Sequence, residues 1–274
     1  MTPSPQPLSP EGRGEIRATL CDEWHLGTRI IGRRTLIYDS LGSTNTTAAG
    51  LADDSANDGL VILAREQTRG RGQHGRVWIS PPGAGVWLSV LLFPPPPLRR
   101  PVVLAAWAAN SVCEAIRRIT NLQAKIKWPN DVLVHGRKVC GILVDQGKGT
   151  VVGIGLNVNQ QRSDFIEQGL PDAGSLAMLA GKRFECRDVA QTLVRCLDEE
   201  YVALSEGDLH TLEASWKWRA GLLGKEVRVE CHNASHHGQM RDMGFDRIDL
   251  EVGNGQVLQI VPETIRRIID CTGN

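Results

Sequence analysis

Residues 65–76 read REQTRGRGQHGR, and this segment lies between an apolar run that ends at residue 67 and another at residues 86–93. Its four arginines stand against one glutamate, so positive charge is concentrated here. Its three glycines let backbone amides approach a ligand closely. Guanidinium forks and free amides together bind phosphate or carboxylate groups. The segment therefore predicts either an anion-binding loop or a flexible solvated loop.

The residues around this loop exclude three phosphate-binding folds. Gly70, Gly72 and Gly75 fit the dinucleotide pattern G-x-G-x-x-G, but that pattern must open a helix, and the following VWISPPG at 77–83 cannot begin one. The P-loop spacing is present without the Lys-Ser/Thr that must follow it. The kinase pattern lacks its H-R-D and D-F-G partners anywhere in the chain.

The elements outward from the loop indicate an α+β protein. Strand candidates occupy residues 34–40, 59–67, 86–93 and 151–159, and a short helical pattern lies at 44–54. Residues 101–119 have apolar positions at steps of three or four, which predicts a long buried helix. Residues 125–146 predict a strand, a turn and a hairpin with His135-Gly136-Arg137 at its tip.

Within the C-terminal third, the sequence pattern changes from helix to strand at Gly221. Residues 187–219 are helical in pattern, whereas short strands follow at close spacing to the end of the chain. Such strands after a helical stretch predict a small β-barrel appended to the α+β domain. We therefore predict a disordered tail over residues 1–20, a catalytic domain over 21–220 and a small barrel over 221–274.

Composition narrows the class of protein further. Among 274 residues, Lys and Arg total 31 and Asp and Glu total 31, so the formal net charge is zero, which argues against a dedicated nucleic-acid or membrane-surface protein. No apolar run approaches the length of a membrane span, and the N-terminus lacks the apolar core of a secretory signal. The seven cysteines are scattered without a CxxC pair. Free thiols and a cytoplasmic location are expected.

A second group of polar residues lies at 125–131, KIKWPND. Strand alternation places Lys125 and Lys127 on one face, and Trp128-Pro129 makes the following turn rigid. A cation, an amide and a carboxylate within five residues are suited to binding charged groups or a metal. A capped turn with a solvated lysine is the alternative.

Five motifs in order, over residues 36 to 160, resemble those of biotin–protein ligases. They are DSLGSTN at 39–45, QTRGRGQHGRVW at 67–78, KWPND at 127–131, KVCGILVD at 138–145 and GIGLNVN at 153–159. The resemblance implies a class II synthetase-like mixed β-sheet with helices on one face, followed by an SH3-like barrel. It implies that ATP activates biotin to biotinyl-5′-adenylate, with Mg²⁺, and that the acyl group passes to a lysine of a biotin carboxyl carrier protein.

The same resemblance implies the site residues. The catalytic set is Lys127, Arg71, Asp131 and Lys138, with Lys127 at the biotin carboxylate, Arg71 at the adenylate, and the last two assisting proton transfer. The implied biotin and adenylate contacts are Ser43, Thr44, Asn45, Gln67, Gly70, Arg71, Gly72, Gln73, Arg76, Trp78, Lys127, Gly141, Gly153, Gly155 and Asn157. Gly153 and Gly155 would leave space for the biotin ring, and Asn157 would lie near the nucleotide and Mg²⁺.

Two features depart from the family's pattern. Gln73 stands where many members have Arg, so one cation is missing and faster loss of the adenylate is expected. At most about 35 residues precede the first predicted core strand, too few for the helix-turn-helix of members that double as repressors, so we expect a monofunctional ligase that does not bind DNA. The expected partner is the carrier protein of acetyl-CoA carboxylase or a related enzyme, and both monomer and homodimer remain open.

Two other functions compete with this interpretation. A lipoate ligase or acyltransferase shares the catalytic fold, and the Gly-Arg-Gly loop with Lys-Trp-Pro-Asn-Asp favours biotin. A nucleic-acid-binding module could use the arginine loop, but the zero net charge speaks against it.

Overall fold

The computed structural model describes residues 19–253 and 255–272, and these residues form an α+β protein with two β-sheets. The larger sheet has eight strands in the order β1-β2-β3-β4-β8-β7-β6-β5. Its strands are β1 (Leu20–Trp24), β2 (Thr35–Leu41), β3 (Val61–Gln67), β4 (Gly85–Leu92), β5 (Ala124–Lys127), β6 (Asp131–Val134), β7 (Arg137–Gln146) and β8 (Thr150–Asn157). The predicted strands and the 131–146 hairpin are confirmed.

The sheet is mixed because one neighbouring pair of strands runs parallel. β2 and β3 are parallel, and the other neighbours in this sheet are antiparallel. A parallel pair needs a crossover connection, which here contains helix α1 (Thr44–Ala49). The tight β6–β7 turn has positive φ at His135 and Gly136, which is what a two-residue hairpin loop of the favoured hand requires.

Three helices cover one face of the large sheet: α2 (Pro101–Thr120), α5 (Cys186–Ser205) and α6 (Leu209–Ala220). Helix α2 begins with Pro101 at a position where no amide donor is needed, and ends at Asn121 in the left-handed conformation. The fully buried Trp107 of α2 packs edge-on against Tyr201 of α5 and donates from Nε1 to the Leu197 carbonyl at 3.1 Å. The core therefore lies between this helical layer and the sheet.

The three long helices lie on one face, as expected, and the short α1 lies on the other. Along β3, Val61 and Leu63 pack into the core under α2, whereas Ile62 and Ala64 pack into a second cluster that contains Ala48 of α1. Successive strand residues point to opposite faces. Both faces of β3 are apolar and buried, since α1 covers the second face. The part of the second face of the sheet that α1 does not cover is open for a cavity.

Two other boundaries differ from the sequence patterns. The helical stretch 187–219 is two helices, because Gly207 has φ +100° and Asp208 begins α6 by accepting a hydrogen bond from the Thr211 amide. Strand β1 was missed, since LCDEW has no clear alternation. The predicted N-terminal tail lies outside the described residues except for residues 19 and 20, and Leu20 already belongs to β1.

The C-terminal strands form an antiparallel sheet in the order β12-β11-β10-β9-β13. These strands are β9 (Glu226–Cys231), β10 (Ser235–Met243), β11 (Ile248–Val252), β12 (Gln256–Ile260) and β13 (Ile265–Asp270). The antiparallel arrangement is confirmed, but the sheet is not closed into a barrel. The edge strands β12 and β13 do not pair with one another among the described residues, because the short Pro262–Thr264 turn carries the chain from β12 across to β9.

Aromatic rings join the two sheets. Trp216 of α6 stacks on Phe245 with ring centroids 5.2 Å apart and lies 5.6 Å from the ring of Trp128, which follows β5. Arg100, before α2, donates to Glu263, Asp246 and the Phe245 carbonyl. Two smaller helices, α3 (Arg162–Glu167) and α4 (Leu176–Ala180), lie between β8 and α5 in the chain.

Within residues 19–253 and 255–272, no helix combines the length and apolar character that a membrane crossing requires. The seven cysteines are free, as predicted.

Candidate functional site

A cavity of about 240 Å³ lies on the open face of the large sheet, between the 67–81 loop, the start of α1 and the segment that follows β8. It gathers residues that are up to 130 positions apart in the chain. Of the residues predicted for the site, these line it: Ser43, Thr44, Asn45, Gln67, Arg71, Gly72, Gln73, Arg76, Trp78, Asp131, Lys138, Gly141, Gly153, Gly155 and Asn157. Gly70 and Lys127 do not.

One end of the cavity is a buried hydrogen-bond network. Gln67 Oε1 accepts from the amide and the hydroxyl of Thr44, at 2.9 and 3.0 Å, and Gln67 Nε2 donates to Ser80 Oγ. The Ser89 hydroxyl lies 2.7 Å from Thr44 Oγ1 and 2.6 Å from Asn45 Oδ1. A hydroxyl carries a single hydrogen, so it donates to one of these two acceptors at a time. The network presents placed donors and acceptors to a small polar group.

The hydroxyl of Ser43 is not used to cap α1. Ser43 occupies the N-cap position, yet its side chain accepts no hydrogen bond from the helix amides. The residue is 5% exposed and lines the cavity. A helix cap was the plain alternative for residues 43–45, and the structure instead leaves this hydroxyl at the cavity wall.

Three glycines on β7 and β8 lie directly against side chains from other parts of the protein. A Cβ at Gly153 would come within 2.0 Å of Asn45 Oδ1. A Cβ at Gly155 or Gly141 would come within 2.4 or 2.8 Å of the Trp78 ring. Gly141 and Gly155 are direct partners across the β7–β8 pair, so they form a flat patch that Trp78 covers. Asn45 and Trp78 pack against Gly153 and Gly155, which also line the cavity, and the space they leave for a ligand ring stays a prediction.

Two cations of the cavity wall, Arg71 and Lys138, each lie beside a carboxylate. Arg71 Nη1 lies 3.2 Å from Asp145 Oδ2, which also accepts from Asn45 Nδ2 at 3.0 Å. Lys138 Nζ lies 2.5 Å from Asp131 Oδ1 and 5.4 Å from the centre of the Trp78 ring. The cavity therefore combines guanidinium, ammonium and aromatic faces, which suits an anionic ligand with an apolar part.

Lys127 is placed differently from its prediction. It is exposed, as is Lys125, while Ala124 and Ile126 between them are buried, so the predicted alternation is confirmed. Lys127 lies opposite Asp131 in the β5–β6 register, and Asp131 lines the cavity. The side chain has no hydrogen-bond or ion-pair partner within the described part of the chain. The structure thus puts this lysine beside the cavity and leaves its ammonium group uncommitted.

The far end of the cavity is built from residues after β8. The buried Asn157 donates from Nδ2 to the Gly174 carbonyl at 3.1 Å and accepts at Oδ1 from Gln160 Nε2 at 3.0 Å. Each end of its amide therefore has one partner and keeps a second bonding position, and Mg²⁺ near Asn157 stays a prediction. Among the described residues, no group of three or more His, Cys, Asp or Glu is placed to hold a metal ion.

Gly70 belongs to the loop's own structure. A Cβ there would lie 2.2 Å from the Trp78 carbonyl oxygen, and Trp78 donates its amide to the Gly70 carbonyl at 3.0 Å. The loop is thus folded back on itself, with Arg71 bridged to Val77. Gly70 holds the loop in a shape that brings Arg71 and Trp78 to the cavity.

Sequence reasoning gave no role to several side chains at the site. These are Ser89, Asp145, Gln160, Phe165 and Leu170. Ser89 had a signal, as the one polar residue within the buried strand GVWLSVLL. The others have none that is local. Cys140 near Lys138 is a packing residue, because complete burial raises the pKa of its thiol well above the ordinary value.

Comparisons with known proteins agree on one family. Residues 38–159 match the Biotin/lipoate A/B protein ligase family. The bifunctional ligase/repressor BirA of Bacillus subtilis is 34% identical over 227 residues, which covers 81% of this chain and 69% of the relative. A biotin–acetyl-CoA-carboxylase ligase of Mycobacterium tuberculosis is 32% identical over 259 residues, covering 90% and 95%. The biotin protein ligase of Aquifex aeolicus, solved with biotin and ATP, superposes with a TM-score of 0.74 at 26% identity, covering 85% of this chain and 98% of that one.

Proposed function

Because the chain belongs to the biotin/lipoate A/B protein ligase family, we propose that it activates biotin with ATP and transfers the biotinyl group to a lysine of a carrier protein. The observation that carries this proposal is the order of groups along one face of β8. The polar network lies at Gly153 together with Arg71, which shares Asp145 with Asn45. Trp78 and Lys138 lie at Gly155 and its partner Gly141, and a further polar end lies at Asn157. A ureido ring, an acyl phosphate and a nucleoside need such groups in this order.

In the first step a biotin carboxylate oxygen attacks the α-phosphorus of ATP, the bond to pyrophosphate breaks, and biotinyl-5′-adenylate forms. Two negative groups must approach each other, so cations have to offset their repulsion. Arg71 and Lys138 line this part of the cavity. We assign Lys127 to the biotin carboxylate, because its free ammonium group lies on the strand next to Asp131. Magnesium enters bound to the phosphates, as MgATP, since Mg²⁺ commonly binds substrate phosphates and keeps several waters.

In the second step the ε-amine of the carrier lysine attacks the acyl carbon, the mixed anhydride bond breaks and AMP leaves. The amine must lose its proton before or during attack. Asp131 lies at the cavity wall with its carboxylate beside Lys138, where it can accept a hydrogen bond from the incoming ammonium group. We therefore assign Asp131 and Lys138 to this transfer.

The proposed acceptor is the biotin carboxyl carrier protein of acetyl-CoA carboxylase or of a related biotin-dependent enzyme. Support comes from the ligases of Mycobacterium tuberculosis and Paracoccus denitrificans, whose names specify acetyl-CoA carboxylase and which are 32% and 31% identical to this chain. The other predicted residues that line the cavity are proposed biotin and adenylate contacts on the strength of that position.

The test combines biotin-dependent ATP–pyrophosphate exchange with transfer to a carrier domain read by mass spectrometry. Exchange with biotin but not with lipoate, and a biotinyl mass shift on one carrier lysine, are expected. Lipoate-dependent exchange would instead assign the chain to the lipoate branch of the family. Exchange without transfer would support the activation step and contradict the proposed acceptor.

A further inference from the structure

Asp145 lies beside the cavity and contacts two residues of the cavity wall. Strand alternation puts it on the same face of β7 as Gly141 and Leu143, which line the cavity, whereas Asp145 is not among the lining residues. Its Oδ2 accepts from Asn45 Nδ2 at 3.0 Å and lies 3.2 Å from Arg71 Nη1. The carboxylate can therefore affect a bound molecule through these two residues without touching it.

The Asn45 side of this arrangement is held tightly. Asn45 is 5% exposed, and Ser89 Oγ lies 2.6 Å from its Oδ1. An ionised carboxylate can only accept hydrogen bonds, so Asn45 turns Nδ2 toward Asp145 and Oδ1 toward Ser89. The Asn45 amide also packs against the backbone of Gly153, where a Cβ would come within 2.0 Å of Oδ1. Asn45 thus fixes the position of the Asp145 carboxylate.

The Arg71 side chain depends on Asp145 for its orientation. This side chain is 51% exposed, and Asp145 is its one hydrogen-bond or ion-pair partner within residues 19–253 and 255–272. Without a partner, a long arginine side chain samples many rotamers. The nitrogen nearest to the carboxylate is Nη1, and a guanidinium group carries five N–H donors. The group is therefore held from one side while donors remain for an anion on the other.

The position of the carboxylate suits a cavity in which two anions must meet. A carboxylate that pointed into the cavity would repel both the biotin carboxylate and the phosphates of ATP. Asp145 instead lies behind Arg71, outside the lining residues. Donors that are fixed before the reaction stabilise developing charge without having to reorganise.

We propose that Asp145 is a positioning residue for biotin activation: fixed by Asn45, it holds the Arg71 guanidinium group at the place where the biotin carboxylate attacks the α-phosphorus of ATP. The inference rests on the proposed function and adds a residue that acts through Arg71. Loss of the negative charge should slow the activation step and spare biotin binding, because a neutral oxygen at the same place still accepts from Asn45.

The experiment compares Asp145→Asn with the wild-type protein, using kcat for biotin-dependent pyrophosphate exchange, the Kd for biotin from calorimetric titration, and a thermal melt. Asp145→Asn keeps the shape of the side chain and one oxygen acceptor, but removes the charge that pairs with Arg71. kcat should fall by about tenfold to a hundredfold, the range expected for a misplaced catalytic group. The Kd for biotin should change by less than about threefold, since the hydrogen bond from Asn45 is kept.

Asp39→Asn is the matched control. Asp39 pairs with Arg65 at 3.0 Å, and neither residue lines the cavity. The control removes a carboxylate from an ion pair of the same kind, and it should exchange pyrophosphate at the wild-type rate.

A double-mutant cycle shows whether Asp145 acts through Arg71. Arg71→Ala alone should lower kcat. Adding Asp145→Asn to this variant should cause little further loss, because the side chain that Asp145 holds is already gone.

Each other outcome overturns the proposal in a distinct way. A normal kcat in Asp145→Asn shows that Arg71 needs no support, and a Tm that falls together with kcat shows a structural role. A biotin affinity that falls as far as kcat assigns Asp145 to Asn45 instead of Arg71. Losses that multiply in the double variant show that the two residues act independently, and an equally slow Asp39→Asn protein shows a general effect of charge. Absence of exchange by the wild-type protein would contradict the proposed function itself, and this inference with it.

Discussion

At the scale of single residues, the cations at the site differ in whether they already form an ion pair within the protein. Arg71 and Lys138 are paired with Asp145 and Asp131, whereas Lys127 is exposed and unpaired in the described structure. A cation without an internal partner is available to a substrate carboxylate at no cost in broken ion pairs.

Lys127→Ala should therefore impair adenylate formation without unfolding the protein. The side chain contributes charge to a transition state in which two anions meet, and an exposed lysine on an edge strand contributes little to packing. Loss of such a contact costs on the order of 10² in rate. Pyrophosphate exchange and a thermal melt, run together, check this. Near-normal exchange would show that the assigned role is wrong, and a Tm that falls with the activity would indicate a structural role.

Gln73→Arg should slow the release of biotinyl-adenylate. Gln73 lines the cavity in the short Gln73–Gly75 turn and brings a neutral amide to the segment 69–76, whose other long polar side chains are guanidinium groups. A charge-assisted hydrogen bond exceeds a neutral one by about 1–1.5 kcal/mol, or roughly tenfold in retention. The first-step rate should change less, since Arg71 remains.

Chase of labelled adenylate from both proteins measures this difference. Gln168→Arg adds the same charge at another position on the cavity wall and is the control for a general effect of charge. Equal release rates from the wild-type and Gln73→Arg proteins would mean that residue 73 is an ordinary loop residue.

At the scale of elements, β8 shows how one strand can place three different groups. Because its glycines leave no Cβ on the open face, Asn45 and Trp78 pack directly against its backbone. Side chains at these positions would displace Asn45 and Trp78.

Gly153→Ala should abolish most biotin binding while the fold persists. The added Cβ would meet Asn45 Oδ1 at 2.0 Å, and moving Asn45 breaks its contacts with Asp145 and Ser89. Each such hydrogen bond contributes about 0.5–1.5 kcal/mol, so affinity should fall by tenfold or more. Calorimetric titration with biotin measures it. Gly147→Ala in the β7–β8 turn, where a Cβ meets nothing closer than 3.8 Å, should bind as the wild type does.

Glu114 forms ion pairs with Arg117 and Arg118 of its own helix α2, and these pairs should titrate with acid. Hydrogen bonds from Arg117, then from Arg118, lower the pKa of Glu114 from 4.5 to about 2. Arg118 also pairs with Glu199 of α5. A lowered pKa in the folded state contributes stability that is present above the unfolded pKa and is lost as pH falls toward the folded one.

Glu114→Gln should therefore destabilise the protein at neutral pH by about 1 kcal/mol, a value reduced by solvent screening of the exposed arginines. The difference from the wild type should shrink as pH falls from about 4.5 toward 2. Urea unfolding at a series of pH values tests this. A difference that is constant with pH would show that the carboxylate charge is not involved.

At the scale of the whole molecule, the two sheets share a core at the aromatic stack. Trp128 belongs to the Lys-Trp-Pro-Asn-Asp turn at the site, Trp216 to α6, and Phe245 to the C-terminal sheet. The division into residues 21–220 and 221–274 stays a prediction, and the stack offers a way to examine it.

Phe245→Ala should lower stability by about 3–5 kcal/mol, the usual cost of deleting a buried aromatic ring. Phe245 is 1% exposed. Because the stack joins both sheets, unfolding followed by tryptophan fluorescence and by circular dichroism should remain one coincident transition at a lower midpoint. Val257→Ala on β12, 47% exposed, should change stability by less than about 0.5 kcal/mol. Two separated transitions in the variant would show that the two units fold independently.

The sequence by itself determined the features whose causes are local. Apolar spacing predicted α2, the turn chemistry of His135-Gly136 predicted the β6–β7 hairpin, and alternation predicted that Lys125 and Lys127 share a face. The ordered motifs identified most of the cavity wall, because each motif is a short segment whose shape depends on its own residues.

The tertiary structure decided every feature that depends on sheet order. Asn45 and Asp145 are 100 residues apart and meet because α1 lies over the end of β7 and β8. The same packing sets Trp78 on Gly141 and Gly155, joins Arg71 to Asp145, and leaves Gln160 with an unpaired acceptor. A hydrogen bond acts over about 3 Å, and no periodicity within a segment encodes which distant segment will come that close.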